Sequence, residues 1–199
     1  MNSTHLTHAL AVAAAALLLT GCGSVRETLP TRSALEQLLV STAADRAAAE
    51  LPLEPFADRT VYIDATNLEC QDKPYVIQSL RTALRGGGVR IVDSKEKAEL
   101  VLEAASGAMS INRRDMLFGI PAVPLPLAVG GQIIKLPELP LWKVITYRGR
   151  AKLLLSAVDV ETGAAVADVG LCYGQARDTY WWLLILGPMR HTDLPMEVR

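Results

Sequence analysis

The chain has 199 residues, of which half are hydrophobic and 21% charged, and its mean hydropathy is +0.23. Twenty Lys and Arg stand against 21 Asp and Glu, a net charge of -1. That length fits one domain with a short tail; the charge balance excludes nucleic-acid binding driven by bulk positive charge, and the apolar fraction excludes a wholly disordered chain.

Residues 9–19 read ALAVAAAALLL, an apolar run too short for a mature membrane-spanning helix and of the length of a signal-peptide core. It leads into Leu19-Thr20-Gly21-Cys22, which resembles the lipobox of bacterial envelope lipoproteins. Residues 1–8 depart from that pattern in holding no Lys or Arg. The resemblance implies a signal peptide over 1–21 and a diacylglycerol on Cys22. Gly23 and Ser24 follow it, without the Asp that keeps such proteins in the inner membrane. The implied address is therefore the periplasmic face of the outer membrane, with membrane attachment through the lipid. Residues 22–32 read as a lipidated tether and 33–199 as one α/β domain.

Ser33 and Glu36 have the spacing of a capping box, and Leu35, Leu38 and Leu39 start an apolar stripe, so a helix is expected up to Glu50. Pro52 and Pro55 end it. Residues 60–65, TVYIDA, alternate as a strand. A loop with Cys70 follows. Pro74 then opens a second helix along Val76, Ile77, Leu80 and Leu84, closed by Gly86, Gly87 and Gly88. Short and longer strands are expected over 89–92 and 100–110.

Residues 116–134 carry no charge. Pro121, Pro124 and Pro126 argue against a spanning helix, so the segment is expected to be an extended, polyproline-like loop on an apolar surface. Two further strands, 149–160 and 164–174, flank the turn Asp159-Val-Glu-Thr-Gly163 and make a β-hairpin. The fold class expected is thus α/β (α+β), a single mixed sheet with two packed helices and a C-terminal β-hairpin. Trp181 and Trp182 sit in an aliphatic run that reads either as a central core strand or as a strand with one Trp on a membrane or protein interface. The tail from Met189 reads as polar and exposed.

Catalytic signals are sparse. After residue 21 the one His is His191, and there is no G-x-S-x-G, H-E-x-x-H, C-x-x-C or acidic calcium loop. Gly86–Gly88 follow a helix, whereas phosphate cradles precede one. Glu99 and Glu103 share a strand face, and Arg113, Arg114 and Asp115 form a charged knot. The expectation is a non-enzymatic protein with no metal and no cofactor. Its candidate membrane or partner contacts are Trp181, Trp182, Pro124 and Pro126. With Cys22 taken by lipid, Cys70 and Cys172 remain in an oxidising compartment, and a disulfide between them is expected, against the alternative of two buried thiols.

TVYIDA, YVIQSLRTALRGGGVRIVD, KAELVLEAAS and LLLSAVDVETGAAVADV together resemble the periplasmic α/β domain of the TolB amino-terminal, LpoB and CsgG-like lipoproteins. PAVPLPLAVGG and WWLLILGP are similar to an uncharacterised proteobacterial lipoprotein family. The resemblance implies a binding or assembly component of an envelope complex, with an unidentified protein partner and homo-oligomers possible. The alternatives are a structural subunit of a ring-shaped export or secretion apparatus and, behind it for want of candidate catalytic residues, a cell-wall enzyme. CsgG-like proteins build pores from alternating hairpins; the inserted segment here holds three Pro and does not alternate strictly.

Overall fold

The computed structural model describes residues 32–129 and 132–195, excepting the side chains of 124–136, 167 and 168. The expected signal peptide, Cys22 and most of the tether lie outside the described residues. Chain contacts separate residues 1–31 from residues 32–199.

The described elements run α1 (Ala34–Ala49), β1 (Thr60–Asp64), α2 (Lys73–Gly86), β2 (Arg90–Ile91), β3 (Leu100–Ile120), β4 (Val123–Val129), β5 (Gln132–Leu136), β6 (Leu139–Asp159), β7 (Ala165–Leu183) and β8 (Leu186–Thr192). One six-stranded mixed sheet has the order β2-β1-β3-β6-β7-β8; β4 and β5 pair separately. β1 is parallel to β2 and β3, and all later pairs are antiparallel. The fold is the α/β class expected, with β6–β7 as its hairpin.

Local chemistry accounts for the element ends. Ser33 Oγ accepts from the Glu36 amide at 3.3 Å while Glu36 accepts from the Ser33 amide at 2.9 Å, so the capping box is closed at both bonds. α2 ends where Gly88 takes φ +79°, a left-handed position that a side chain would strain. Asp159 Oδ1 accepts from the amides of Glu161 and Thr162, and Gly163 has φ +68°, which turns β6 into β7.

Both helices cover one sheet face. Leu39, Ala43, Ala47, Val76, Leu80 and Leu84 meet alternate residues of the strands, among them Val61, Leu102, Leu153, Cys172 and Ala176. The inner face of α1 is mostly Ala, which lets its backbone ride close to the sheet. A Cβ at Gly174 would fall on the Ala43 carbonyl, and one at Gly149 on that of Leu39. Among the described residues every core residue lies between Leu39 and Leu194, so a chain starting at Gly23 keeps all of them.

Two expectations are corrected. Residues 116–134 are not a polyproline-like loop: β3 continues to Ile120, and β4 and β5 form a hairpin beyond it. The prolines are accommodated by breaks in the ladders. Pairing of β4 with β5 is interrupted between Pro124 and Ala128, and a register shift at Phe118/Gly119 meets Pro140. The tail from Met189 is, among the described residues, largely exposed, as expected, with Leu194 buried, and its first residues form the end of β8, paired with β7. The Cys70–Cys172 bridge is not formed; both are free thiols. The Cys70 loop is pinned to β3, where Ser106 Oγ donates to the Glu69 carbonyl at 2.7 Å. Cys172 lies on β7, and Ser106, Leu153 and Cys172 stand in one row, with β6 between. Two strand spacings are about 9–10 Å, beyond the roughly 7 Å that a disulfide tolerates between Cα atoms.

Candidate docking surface

β3 and β6 are 21 residues long and β7 is 19, far more than two short helices can cover. Beyond Ile111, Tyr147 and Ala176 the sheet runs on as a four-stranded arm built from β3, β6, β7 and β8. Its two faces differ.

On the face that continues the helix-covered side, aromatic rings and charges take the place of helices. Tyr147 meets Tyr180 edge-on at 6.3 Å, and Tyr180 stacks on Trp182 at 6.5 Å. Arg113, Lys143 and Arg190 lie over the rings of Tyr147, Trp182 and Tyr180 at 5.5, 5.8 and 5.7 Å, each contact worth about 0.5–1 kcal/mol where exposed. Asp178 is fully buried and accepts from Arg190 Nε at 2.9 Å. Burial, then its hydrogen bond with Asp178, pushes the Tyr180 hydroxyl above its usual range. Arg113 grips Asp115 through Nε and a terminal nitrogen at 2.9 and 2.7 Å, and this hydrogen bonding holds the Asp115 carboxyl below its usual range. These contacts stiffen the arm without a second layer.

The end of the arm is apolar on both faces. Phe118, Ile120, Leu139, Leu141, Trp142, Leu183, Leu184, Ile185 and Leu186 are all exposed, Phe118 at 67% and Ile185 at 96%. The ladder brings them together: Phe118 pairs with Trp142, Trp142 with Leu183, and the Leu184 amide donates to the Leu141 carbonyl at 2.9 Å. A hollow of about 560 Å³ lies among Leu117, Phe118, Ile120, Leu139 and Leu141. With about 150–250 Å² per large side chain, these residues present on the order of 900 Å² of apolar surface, against about 300–600 Å² for the largest patch of an ordinary monomer.

The β7–β8 turn sharpens the point. Leu184 and Ile185 form a two-residue hairpin loop, and Leu184 has φ +53°. Gly, Asn and Asp suit such loops. An apolar residue there costs about 1–2 kcal/mol in backbone strain and leaves Ile185 in water. Folding alone gives no reason for that choice.

The residues singled out from sequence fall on or beside this arm. Trp181 faces the open side in a row with Val144 and Met116, while Trp182 faces the other side beneath Lys143. Both are half-buried, so the pair is neither wholly core nor wholly surface. Pro124 and Pro126 lie on β4, just past the end of β3. His191 is exposed on β8. Glu99 is structural, its carboxylate accepting from the Thr60 amide at 2.6 Å and hydroxyl at 3.0 Å, and Glu103 accepts from Ser156. Sequence reading missed the Leu184–Ile185 turn and the length of the arm; the aliphatic run 183–186 was its one visible signal.

The remaining large groove, about 510 Å³ between α1 and α2, has its polar groups satisfied internally: Asp45 accepts from Tyr75 and Ser79, both at 2.8 Å. Among the described residues no cluster of His, Cys, Asp or Glu has the makings of a metal site, and no helix is long and apolar enough to cross a membrane.

Fold and site together define a small α/β domain that projects a β-arm with an apolar end. A family model matches residues 16–195, and the chain belongs to that family, DUF6655, a family of unknown function. No curated protein matches the chain.

Proposed function

We propose that this protein is an outer-membrane lipoprotein, held on the periplasmic face through lipidated Cys22, that acts without catalysis as a binding or assembly component of an envelope complex, with the arm as its docking element. The observation that carries the reading is the apolar end of the arm, above all Ile185 in a strained, exposed turn. At about 25 cal/mol per Å², covering even a third of that surface contributes about 7 kcal/mol, enough to offset a substantial part of the cost of association. The lipobox resemblance at residues 19–22 supports the anchor.

A photo-crosslinking residue at Ile185 or Phe118 tests the docking role in cells. Adducts are expected from those positions and not from Glu54, which lies in the loop after α1. Equal labelling at all three would contradict it. The ring-subunit reading is favoured by one observation: β8 is an edge strand beside three long strands, open to pairing with a neighbour. The mass of the detergent-extracted protein separates a ring from a single-copy adaptor.

A further inference from the structure

The sheet face opposite the helices carries an ordered gradient. Reading from the domain toward the end of the arm, across β3, β6 and β7, the rows are Ala108–Lys152–Tyr173, Ser110–Arg150–Gln175, Asn112–Arg148–Arg177, Arg114–Thr146–Thr179, Met116–Val144–Trp181 and Phe118–Trp142–Leu183. Past an exposed apolar row at the base, Ala105–Leu154–Leu171, the arm carries cations first, then hydroxyls, then Trp and aliphatics. Arg148 and Arg177 stand directly opposite each other, an arrangement that destabilises a sheet when nothing neutralises it. Among the described residues no ion pair engages Arg114, Arg148, Arg150, Lys152 or Arg177. The Nε atoms of Arg148 and Arg150 are buried and lack a hydrogen-bond partner.

We infer that this open face docks on an anionic phospholipid bilayer, with the Arg148, Arg150, Lys152, Arg177 and Arg114 cluster on the headgroup phosphates, Trp181 at the interface and the Phe118–Trp142–Leu183 end in the acyl region. The inference deepens the docking role proposed above by naming the surface. A bilayer offers the same succession over a short depth: phosphates, an interfacial zone that favours Trp, then hydrocarbon. The rows are about 6.6 Å apart, so the gradient from Arg148 to Trp142 covers about 20 Å, which suits an arm lying obliquely on the surface with its end dipped in. No membrane-spanning element is required.

Given the lipid proposed on Cys22, the length of the tether fits the same choice. The α1 backbone passes over Gly149 at Leu39 and over Gly174 at Ala43, and Gly174 pairs with Ala151. The helix therefore runs away from the arm's end, and its Ser33 terminus faces the same way as the arm. From the level of Ser33 the sheet extends about seven residues, or some 23 Å, to Leu139. The eleven residues from Cys22 to Ser33 span up to about 36–40 Å. Lipid on Cys22 and the arm can thus enter one and the same leaflet.

The test is sedimentation of the chain starting at Gly23, which lacks the acyl groups, with vesicles of phosphatidylcholine alone or mixed with phosphatidylglycerol. Binding is expected with phosphatidylglycerol, weakening as salt is raised. Together Arg148→Gln, Arg150→Gln and Arg177→Gln should weaken it roughly a hundredfold while the melting temperature is kept. Phe118→Ser with Leu183→Ser should remove what remains. Equal affinity for both vesicle types, or indifference to the triple Gln variant, would overturn the proposal. No vesicle binding, with copies of the chain crosslinking through position 177, would overturn it in favour of self-association. Crosslinks from Ile185 to another protein in cells, with no vesicle binding in vitro, would sink the lipid proposal and leave the assembly role standing.

Discussion

The carbonyl of Ala43 on α1 occupies the space that a side chain at Gly174 on β7 would need. The Ala-rich face of the helix and the glycine in the strand are therefore one feature. Gly174→Val should push α1 off the sheet and cost about 3 kcal/mol or more, read from urea unfolding. Gly86→Ala, where a Cβ meets nothing within 4 Å, should be neutral or gain about 0.5–1 kcal/mol. Similar losses at both sites would show that the close helix approach is not what Gly174 serves.

Asp178 is fully buried while Arg190 is about half exposed. Removing the cation leaves a carboxylate with no route to water, whereas removing the carboxylate leaves an arginine that reaches solvent. Arg190→Ala should accordingly cost about 3 kcal/mol and Asp178→Asn distinctly less. Hydrogen exchange of β8 amides should rise first in Arg190→Ala. The reverse order of the two variants would contradict this pairing.

The acid limb of stability has a named contributor. Glu99 is held below the usual carboxylate range, first by the Thr60 amide and then by the Thr60 hydroxyl. Its folded pKa lies below its unfolded one, so its contribution is complete above the unfolded value of about 4.3 and fades as pH falls through the folded value. Glu99→Gln should lower the melting temperature at pH 7, where that contribution is complete, and flatten its further fall below about pH 4.3. An unchanged acid limb would count against the assignment.

Leu184 and Ile185 set stability against docking. Leu184→Gly relieves the positive φ and should stabilise the isolated domain by up to about 1 kcal/mol; Ile185→Ser should leave stability nearly unchanged. Together they should weaken docking in the crosslinking assay. A double variant that docks as well as the parent would remove the turn from the surface.

The cysteines behave as separate thiols. Cys172 is buried and Cys70 half-buried, and burial pushes both thiols up. Alkylation under native conditions should label Cys70 first and slowly, and denaturation without reductant should expose both. A single mass two hydrogens lighter, resistant to alkylation, would restore the bridge.

Much of the domain was legible because its signals are local. The Ser33–Glu36 box, the glycines after Leu84 and the Asp159–Gly163 turn each act within a few residues, and the elements they bound stand where expected. The arm was not legible. Residues 116–120 are apolar on both faces, so period-two alternation vanishes where β3 leaves the core. The prolines at 124, 126 and 140 suppress a strand reading, although breaks in pairing accommodate them. The basic rows needed register: Arg148, Arg150 and Lys152 are two apart in sequence, but only pairing brings Arg177 opposite Arg148.

All three tryptophans, Trp142, Trp181 and Trp182, lie on the arm. Intrinsic fluorescence therefore reports on the arm and on little else. The most direct measurement is the Trp emission of the chain starting at Gly23, titrated with vesicles containing phosphatidylglycerol. The account predicts a blue shift, quenching by bromine-labelled acyl chains, and loss of both effects in Phe118→Ser with Leu183→Ser. Emission that stays unshifted and unquenched at saturating lipid would contradict docking of the arm on a membrane.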